Sequence, residues 1–567
     1  EGTTNLGANV TTSATQTYQG TLTLDSGTSL TLDAGTSADS DINLAAVTGV
    51  SGGDAENLTL DAGSNAGAAI AVTGTVTNIA TLTITDAGSV TFSDAVTLAT
   101  KIDLKATTGA ITFNGALTTA DIDTDTADGY NIVLNAGGTI TNATTFANTG
   151  TLTIGNAAGD SMTFTGGLVA TAPSAINLAG TVATTNTTMT LGDGNTGITL
   201  TADTILSAGN GAINVNGAVT GGTNALTINT TGTGTLAATI SGLTTLETNS
   251  GGTTVISVDI SSSSTQTYND AVTVNGTLDF TGSTVQFAST LQGDGTADNI
   301  TISGNLDLDG AASSLTTLDV EGTTNLGANV TTSATQTYTG AVTTDGSRTL
   351  QGSTVNFVST VTGTTAATDD LTITGALDLD GAITDINDLY VSGTSNLGAN
   401  ITTTGTQEYN NNVTLSGAAR TLTTTGDTVT FTGTVNGAQD LTVDTNGTDN
   451  GSSLATVLFS STVGDTTPVG AIIITGNLDL DANIIQSDNT AGATSLAVSG
   501  TSDLGANVKT TGDQTYTGNA IISADITLTG GSQLTFAGTV DSSNTTGTTD
   551  TDALSTSFTE TEFDGEV

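Results

Sequence analysis

The eighteen residues EGTTNLGANVTTSATQTY occupy positions 1–18 and return unchanged at 321–338. A unit this short cannot fold alone, because it buries too little apolar surface to offset the backbone entropy lost on ordering. Such units are stable only when stacked, each neighbour supplying strand hydrogen bonds and part of the core.

The spacing supports stacking. From 300 to 373, Ile302, Val320, Tyr338, Phe357 and Ile373 align in one column at intervals of 18, 18, 19 and 16 residues. LGAN begins at 6, 326, 397 and 504, and a tyrosine follows twelve residues after each leucine: Tyr18, Tyr338, Tyr409 and Tyr516. With Tyr268, five of the seven tyrosines stand in Gln-x-Tyr. Apolar residues alternate within each unit, as in Ile300, Ile302, Leu306 and Leu308, which is the period of a strand with one buried face. Small residues (Gly304, Gly322, Gly340, Ser359) separate the alternating pairs and mark bends. No amphipathic helix of convincing length is present.

These patterns predict an all-β chain, a parallel β-helix solenoid of about thirty coils of about 16–22 residues, each made of three short strands. The repeat region is placed at 1–540. Residues 541–567, acidic and rich in Thr and Ser, are read as a cap, linker or donated strand. The Tyr and Phe column is assigned to a core stack, since its members share the parity of Val and Ile. Gly-Ala-Asn is read as a turn whose Asn takes positive φ and stacks in ladders. Glu1, equivalent to Glu321, falls inside a coil. The chain is therefore expected either to be cut from a longer repeat protein or to dock end to end into an open fibre.

Composition narrows the function. Five basic residues stand against 54 acidic ones, a net charge of -49, which disfavours nucleic acid and anionic lipid surfaces and leaves divalent cations as partners. Histidine and cysteine are absent, which excludes the common nucleophilic triads and histidine or thiolate metal sites. The chain is 35% hydrophobic and only 10% charged, and its alternation argues against disorder. No run of eighteen apolar residues predicts a membrane-spanning helix.

LGANVTTSATQTY, VTFTGTV and LTITGALDL resemble the repeat regions of filamentous-haemagglutinin-like and β-strand-repeat exoproteins of Gram-negative bacteria. The resemblance covers roughly 1–540. It implies a right-handed parallel β-helix, secreted across the outer membrane and used at the cell surface for adhesion, aggregation or matrix building.

Candidate sites are few. Asp307 and Asp309, Asp378 and Asp380, and Asp479 and Asp481 recur in LDLD on the expected solvent face, a decoration rather than a singular active site. Asp121, Asp123, Asp125 and Asp128 in DIDTDTADG resemble the start of a calcium loop, but the glycine is at 129 and Ile132 stands where a bidentate Glu belongs. A solvated acidic turn is the preferred reading there. TLTIT at 81–85 suggests a flat threonine face that orders water or ice, which requires the same Thr pair in successive coils. The Asn299, Asn412 and Asn446 sequons are expected by chance in so Thr-rich a chain.

Together these readings predict a non-enzymatic structural protein of an extracellular bacterial filament, sheath or adhesive surface. It is expected to associate with itself end to end or laterally, and with surface glycans, to bind no nucleic acid, not to insert in membranes and to require no cofactor. A calcium- or glycan-binding adhesin module is the alternative, and a β-helical polysaccharide-degrading enzyme the third.

Overall fold

The computed structural model describes residues 2–50, 55–105, 107–125, 129–446, 454–543 and 552–567. Among these residues there is no helix, and the strand ladders run parallel in a β-solenoid of about 25 turns. Contacts divide the chain into two units, Glu1–Asp294 and Gly295–Val567. Glu1 lies outside the described residues. Among the described residues no helix is long and apolar enough to cross a membrane.

The second unit shows why alternation yields this fold. One coil runs through Asn299–Leu308, a single strand whose 299–302 and 306–308 parts pair on two faces, and Ala312–Leu315 on the third. The next coil lays Val320 on Ile302, Leu326 on Leu308 and Val330 on Ala312. Every second residue points inward, so like-sized apolar side chains meet along the solenoid and polar ones face out. On the first face Val320 is followed by Tyr338 and then Phe357, all fully buried.

Here the predicted column fails. Phe357 pairs with Leu379, not with Ile373, which lies on the third face against Leu350. The coil after Phe357 is therefore 22 residues long rather than 16. Coils range from 18 residues, Val320 to Tyr338, up to 31, Leu441 to Ile472, beyond the predicted 16–22 and the reason there are fewer turns than thirty. The repeated phrase consequently does not stack on itself. Gln336–Tyr338 lies on the first face. Gln407–Tyr409 lies on the third, stacked through Val391, Ile373, Leu350 and Val330. Gln514–Tyr516 lies on the second, stacked through Leu496, Ile472 and Leu441. Successive copies of the phrase turn from face to face.

The segment expected to lose the pattern continues it where it is described. Leu554–Ser557 pairs with Ile526–Thr529, Glu560–Phe563 pairs with Gln533–Phe536, and Phe563 stacks on Phe536 at 5.4 Å.

The LGAN asparagines do not take positive φ. Each instead accepts a backbone N–H from the next coil: Asn9 from Thr31 (2.9 Å), Asn329 from Thr349 (2.9 Å), Asn400 from Thr421 (3.0 Å) and Asn507 from Thr527 (2.6 Å). The N–H of Asn507 in turn donates to Asn483 at 2.9 Å, so a short ladder does form.

Left-handed backbone appears at a different recurring place. Ser314 (φ 58°) and Asp385 (φ 56°) occupy bulges where the strand slips against the next coil, and in the first unit the corresponding bulge holds Gly242 (φ 69°). A side chain in this region costs about 1–3 kcal/mol, partly offset by the greater chain entropy that glycine loses. Asp385→Gly is expected to stabilise the second unit by up to about 1 kcal/mol. Slower amide exchange in 383–403 would agree, and faster exchange would contradict the strain.

Candidate functional site

The Gln-x-Tyr recurrence marks a buried polar corner. Gln336 donates its amide to the carbonyls of Val330 (3.4 Å) and Gln351 (2.7 Å), and its Oε1 accepts the Tyr338 hydroxyl (3.0 Å). The two carbonyls belong to adjacent coils, so one side chain ties them together at the bend. Gln266 and Gln514 repeat the arrangement, bridging Ile260 to Thr281 and Val508 to Thr529. Gln407 bonds Thr423 and the Thr403 hydroxyl.

A third member went unread in the sequence. Four residues before each Gln stands Thr or Ser, whose hydroxyl donates to the carbonyl two residues on: Ser262 to Ser264, Thr332 to Ala334, Thr403 to Gly405 and Thr510 to Gly512, at 2.8–3.1 Å. Thr12 does the same to Ala14 at the first copy. The motif is thus Thr/Ser-x-x-x-Gln-x-Tyr.

The tyrosines also carry the aromatic stack. Tyr268, Tyr338, Tyr409 and Tyr516 are fully buried and lie over Phe287, Phe357, Phe431 and Phe536 with centroids 4.9–5.4 Å apart and planes 10–21° from parallel. Burial pushes the hydroxyl of each far above its usual value, so each remains a neutral donor. This chemistry fixes structure and presents nothing to solvent.

The outward candidates are dispersed. Asp121–Thr124 is a strand rather than a loop, with Asp121 and Asp123 outward around buried Ile122. Lys101, paired alongside Asp121, places its ammonium 3.4 Å from Asp123 and 3.8 Å from Asp103, and Lys105 reaches Asp103 at 2.9 Å. Asp125 follows the strand, and Asp128 lies outside the described residues. Among the described residues no three His, Cys, Asp or Glu side chains are grouped to hold a metal.

The LDLD aspartates face outward as expected. Asn325 donates to Asp307 at 2.9 Å and Asn396 to Asp378 at 2.8 Å, but the third copy pairs Asp479 with Asp503. Burial, then the charges of Asp481 and Asp503, raise the Asp479 carboxyl above its usual range. The Thr81 and Thr83 pair sits between Asn57 and Thr59 on one side and Lys101 and Asp103 on the other, so the Thr-pair array does not extend.

A buried acid of the first unit is held by hydroxyl groups. Asp270, 3% exposed, accepts hydrogen bonds from Thr248 (2.6 Å) and Thr254 (2.9 and 3.1 Å) beside Tyr268. Burial raises its carboxyl above the usual value, against the lowering effect of the two hydroxyls. The folded form then binds its proton more tightly than the unfolded chain, so its stabilising contribution is full below the unfolded pKa and is lost as pH rises through the folded one. Asp270→Asn is expected to flatten the decline in first-unit stability as pH rises above about 4, the ordinary carboxyl value. Denaturation midpoints measured across that range would check it; an unchanged slope would contradict it.

Fold and corner together define a repeat protein of the parallel β-solenoid class. Comparison with known protein families, with curated proteins and with solved structures returns no match to this chain.

Proposed function

We propose that the chain is a non-enzymatic structural protein of an extracellular bacterial filament, sheath or adhesive surface. The observation that carries this reading is where the repeated residues go. In the corners at Tyr268, Tyr338, Tyr409 and Tyr516, Gln and Tyr are buried and bonded within and between coils, so what the sequence repeats is a means of stacking. Repeating a stacking device lengthens a solenoid and multiplies its outward surface. The net charge of -49 supports partners other than nucleic acid or anionic lipid. The resemblance to Gram-negative repeat exoproteins supports the extracellular setting.

In this reading copies associate with one another, end to end or side by side, and with surface glycans. Calcium, through Asp121, Asp123 and Asp125, is a candidate ion and not a requirement. Electron microscopy of the purified chain at rising concentration, with and without a calcium chelator, tests the assembly. Ordered filaments or sheets are expected; dispersed single particles under all conditions would overturn it.

A further inference from the structure

Over the coils of the first unit from Thr48 to Thr163 charge is segregated by face. One face carries Asp61, Lys101, Asp103, Asp121 and Asp123 at outward positions. Another presents Thr48, Thr77, Thr97, Thr118, Thr139 and Thr163 at the same outward position of six successive coils. Thr48 pairs with Thr77, Val76 pairs with Val96 just before the next threonines, and Thr97, Thr118, Thr139 and Thr163 pair in turn. Two residues earlier in the middle coils stand Ala95, Ala116 and Gly137, so the threonine ridge runs beside a trough. Gly137 has φ +85°, and a Cβ there would lie 2.0 Å from the Ser161 carbonyl oxygen, so the trough cannot be filled at that point without moving backbone.

The ridge hydroxyls are unequally engaged. Thr77 donates to Thr48 at 3.2 Å, and Thr48 donates to the Gly49 carbonyl. Those of Thr97, Thr118, Thr139 and Thr163 bond to no other group among the described residues. Thr97 and Thr118 are exposed.

We propose that this ridge and trough form a lateral contact with the same face of a second copy of this chain. The inference rests on the scaffold reading above and deepens it. Two copies of net charge -49 repel wherever their acids face each other, so close approach favours an uncharged face. Shape points to the same partner. A two-fold axis parallel to the solenoid axis sets each ridge in the other copy's trough, whereas an axis along the strands sets ridge on ridge. The contact is therefore isologous and parallel.

Six coils at about 4.8 Å and three residues at about 3.3 Å give roughly 300 Å² per copy. That is well under the roughly 800 Å² per partner of a stable complex. Pairing of two free copies is accordingly weak, and it becomes durable where many copies lie side by side.

The chain has no cysteine, so single thiols report contacts without background. A mixture of Thr118→Cys and Ala116→Cys chains, treated with a short thiol cross-linker at high salt, is expected to link about tenfold more than a Thr59→Cys control on the charged face. Adding Thr97→Asp and Thr139→Asp to both partners is expected to remove that excess, with the circular dichroism of the chains unchanged. Equal linking at both faces would overturn the proposal. So would retention of wild-type chain on an insoluble neutral polysaccharide that the Asp variants lose, with no ridge-to-trough linking, since the face would then hold a glycan. Ordered assemblies that persist unchanged in the Asp variants would reject this contact while leaving the scaffold reading intact.

Discussion

Gln336→Leu is expected to destabilise its corner by about 2–3 kcal/mol, because it strands the Tyr338 hydroxyl in the interior and leaves the Gln351 carbonyl only the long bond from the Thr332 hydroxyl at 3.5 Å, at about 1–3 kcal/mol for an unsatisfied group. Tyr338→Phe leaves only the Gln336 Oε1 without its 3.0 Å donor and should cost about 1–2 kcal/mol. The double variant should cost less than the sum, because the two side chains satisfy each other. Repeat chains unfold piecewise, so the measurement is amide exchange of peptides covering 330–357 rather than a single melting point. Additive losses would mean that the hydrogen bond contributes nothing to the corner.

Gly518→Ala is the second large effect. A Cβ at Gly518 would lie 2.3 Å from the Gly500 carbonyl oxygen and 2.5 Å from its carbon. Gly500 meets Gly476 in the same way at 2.4 Å, Gly538 meets Gly518 at 2.5 Å, and Gly565 meets Gly538 at 2.2 Å. Glycine is required in this ladder by the approach of one backbone to another, since neither Gly500 nor Gly518 has positive φ. A methyl group inserted there forces coils apart and should cost about 3 kcal/mol. Gly197→Ala, where a Cβ meets nothing within 4 Å, should be neutral or slightly stabilising. Comparable losses at both positions, read by local amide exchange, would contradict the close approach.

These effects also separate what the sequence discloses from what it hides. Alternation at Ile300, Ile302, Leu306 and Leu308 discloses strands and their buried face, because side-chain direction has period two whatever the coil length. The same argument hides the register after Phe357. Ile373 and Leu379 are six residues apart and share parity, so both suit the column. The choice is made by the loop at 364–370, which Asp369 secures by accepting from the Thr365 N–H (2.7 Å) and the Thr364 and Thr368 hydroxyls (3.0 and 3.2 Å). Those residues enlarge a corner, and periodicity does not register a corner.

The corner motif was half legible. Gln-x-Tyr stands out because tyrosine is rare in this chain, whereas the Thr or Ser four residues earlier is lost among many threonines. The asparagine of LGAN was correctly placed at a bend but given the wrong task, since a side chain that accepts from the next coil and one that takes positive φ leave the same residue in the sequence. The DIDTD segment is ambiguous in the sequence for a related reason. Alternating aspartates suit a calcium loop and an exposed strand equally, and the pairing of Asp121 and Asp123 with Lys101 and Asp103 makes it a strand.

The most direct test of the account is the register through which the repeated phrase turns from face to face. Asn356 and Asp378 are outward partners in adjacent coils, within the Cα separation that a disulfide spans. The simple sequence period would instead set Asn356 beside Thr372. In this cysteine-free chain, Asn356→Cys with Asp378→Cys is predicted to close a disulfide on mild oxidation, while Asn356→Cys with Thr372→Cys stays reduced. Closure of the second pair and not the first would contradict the stacking on which every conclusion about the corners and faces of the second unit depends.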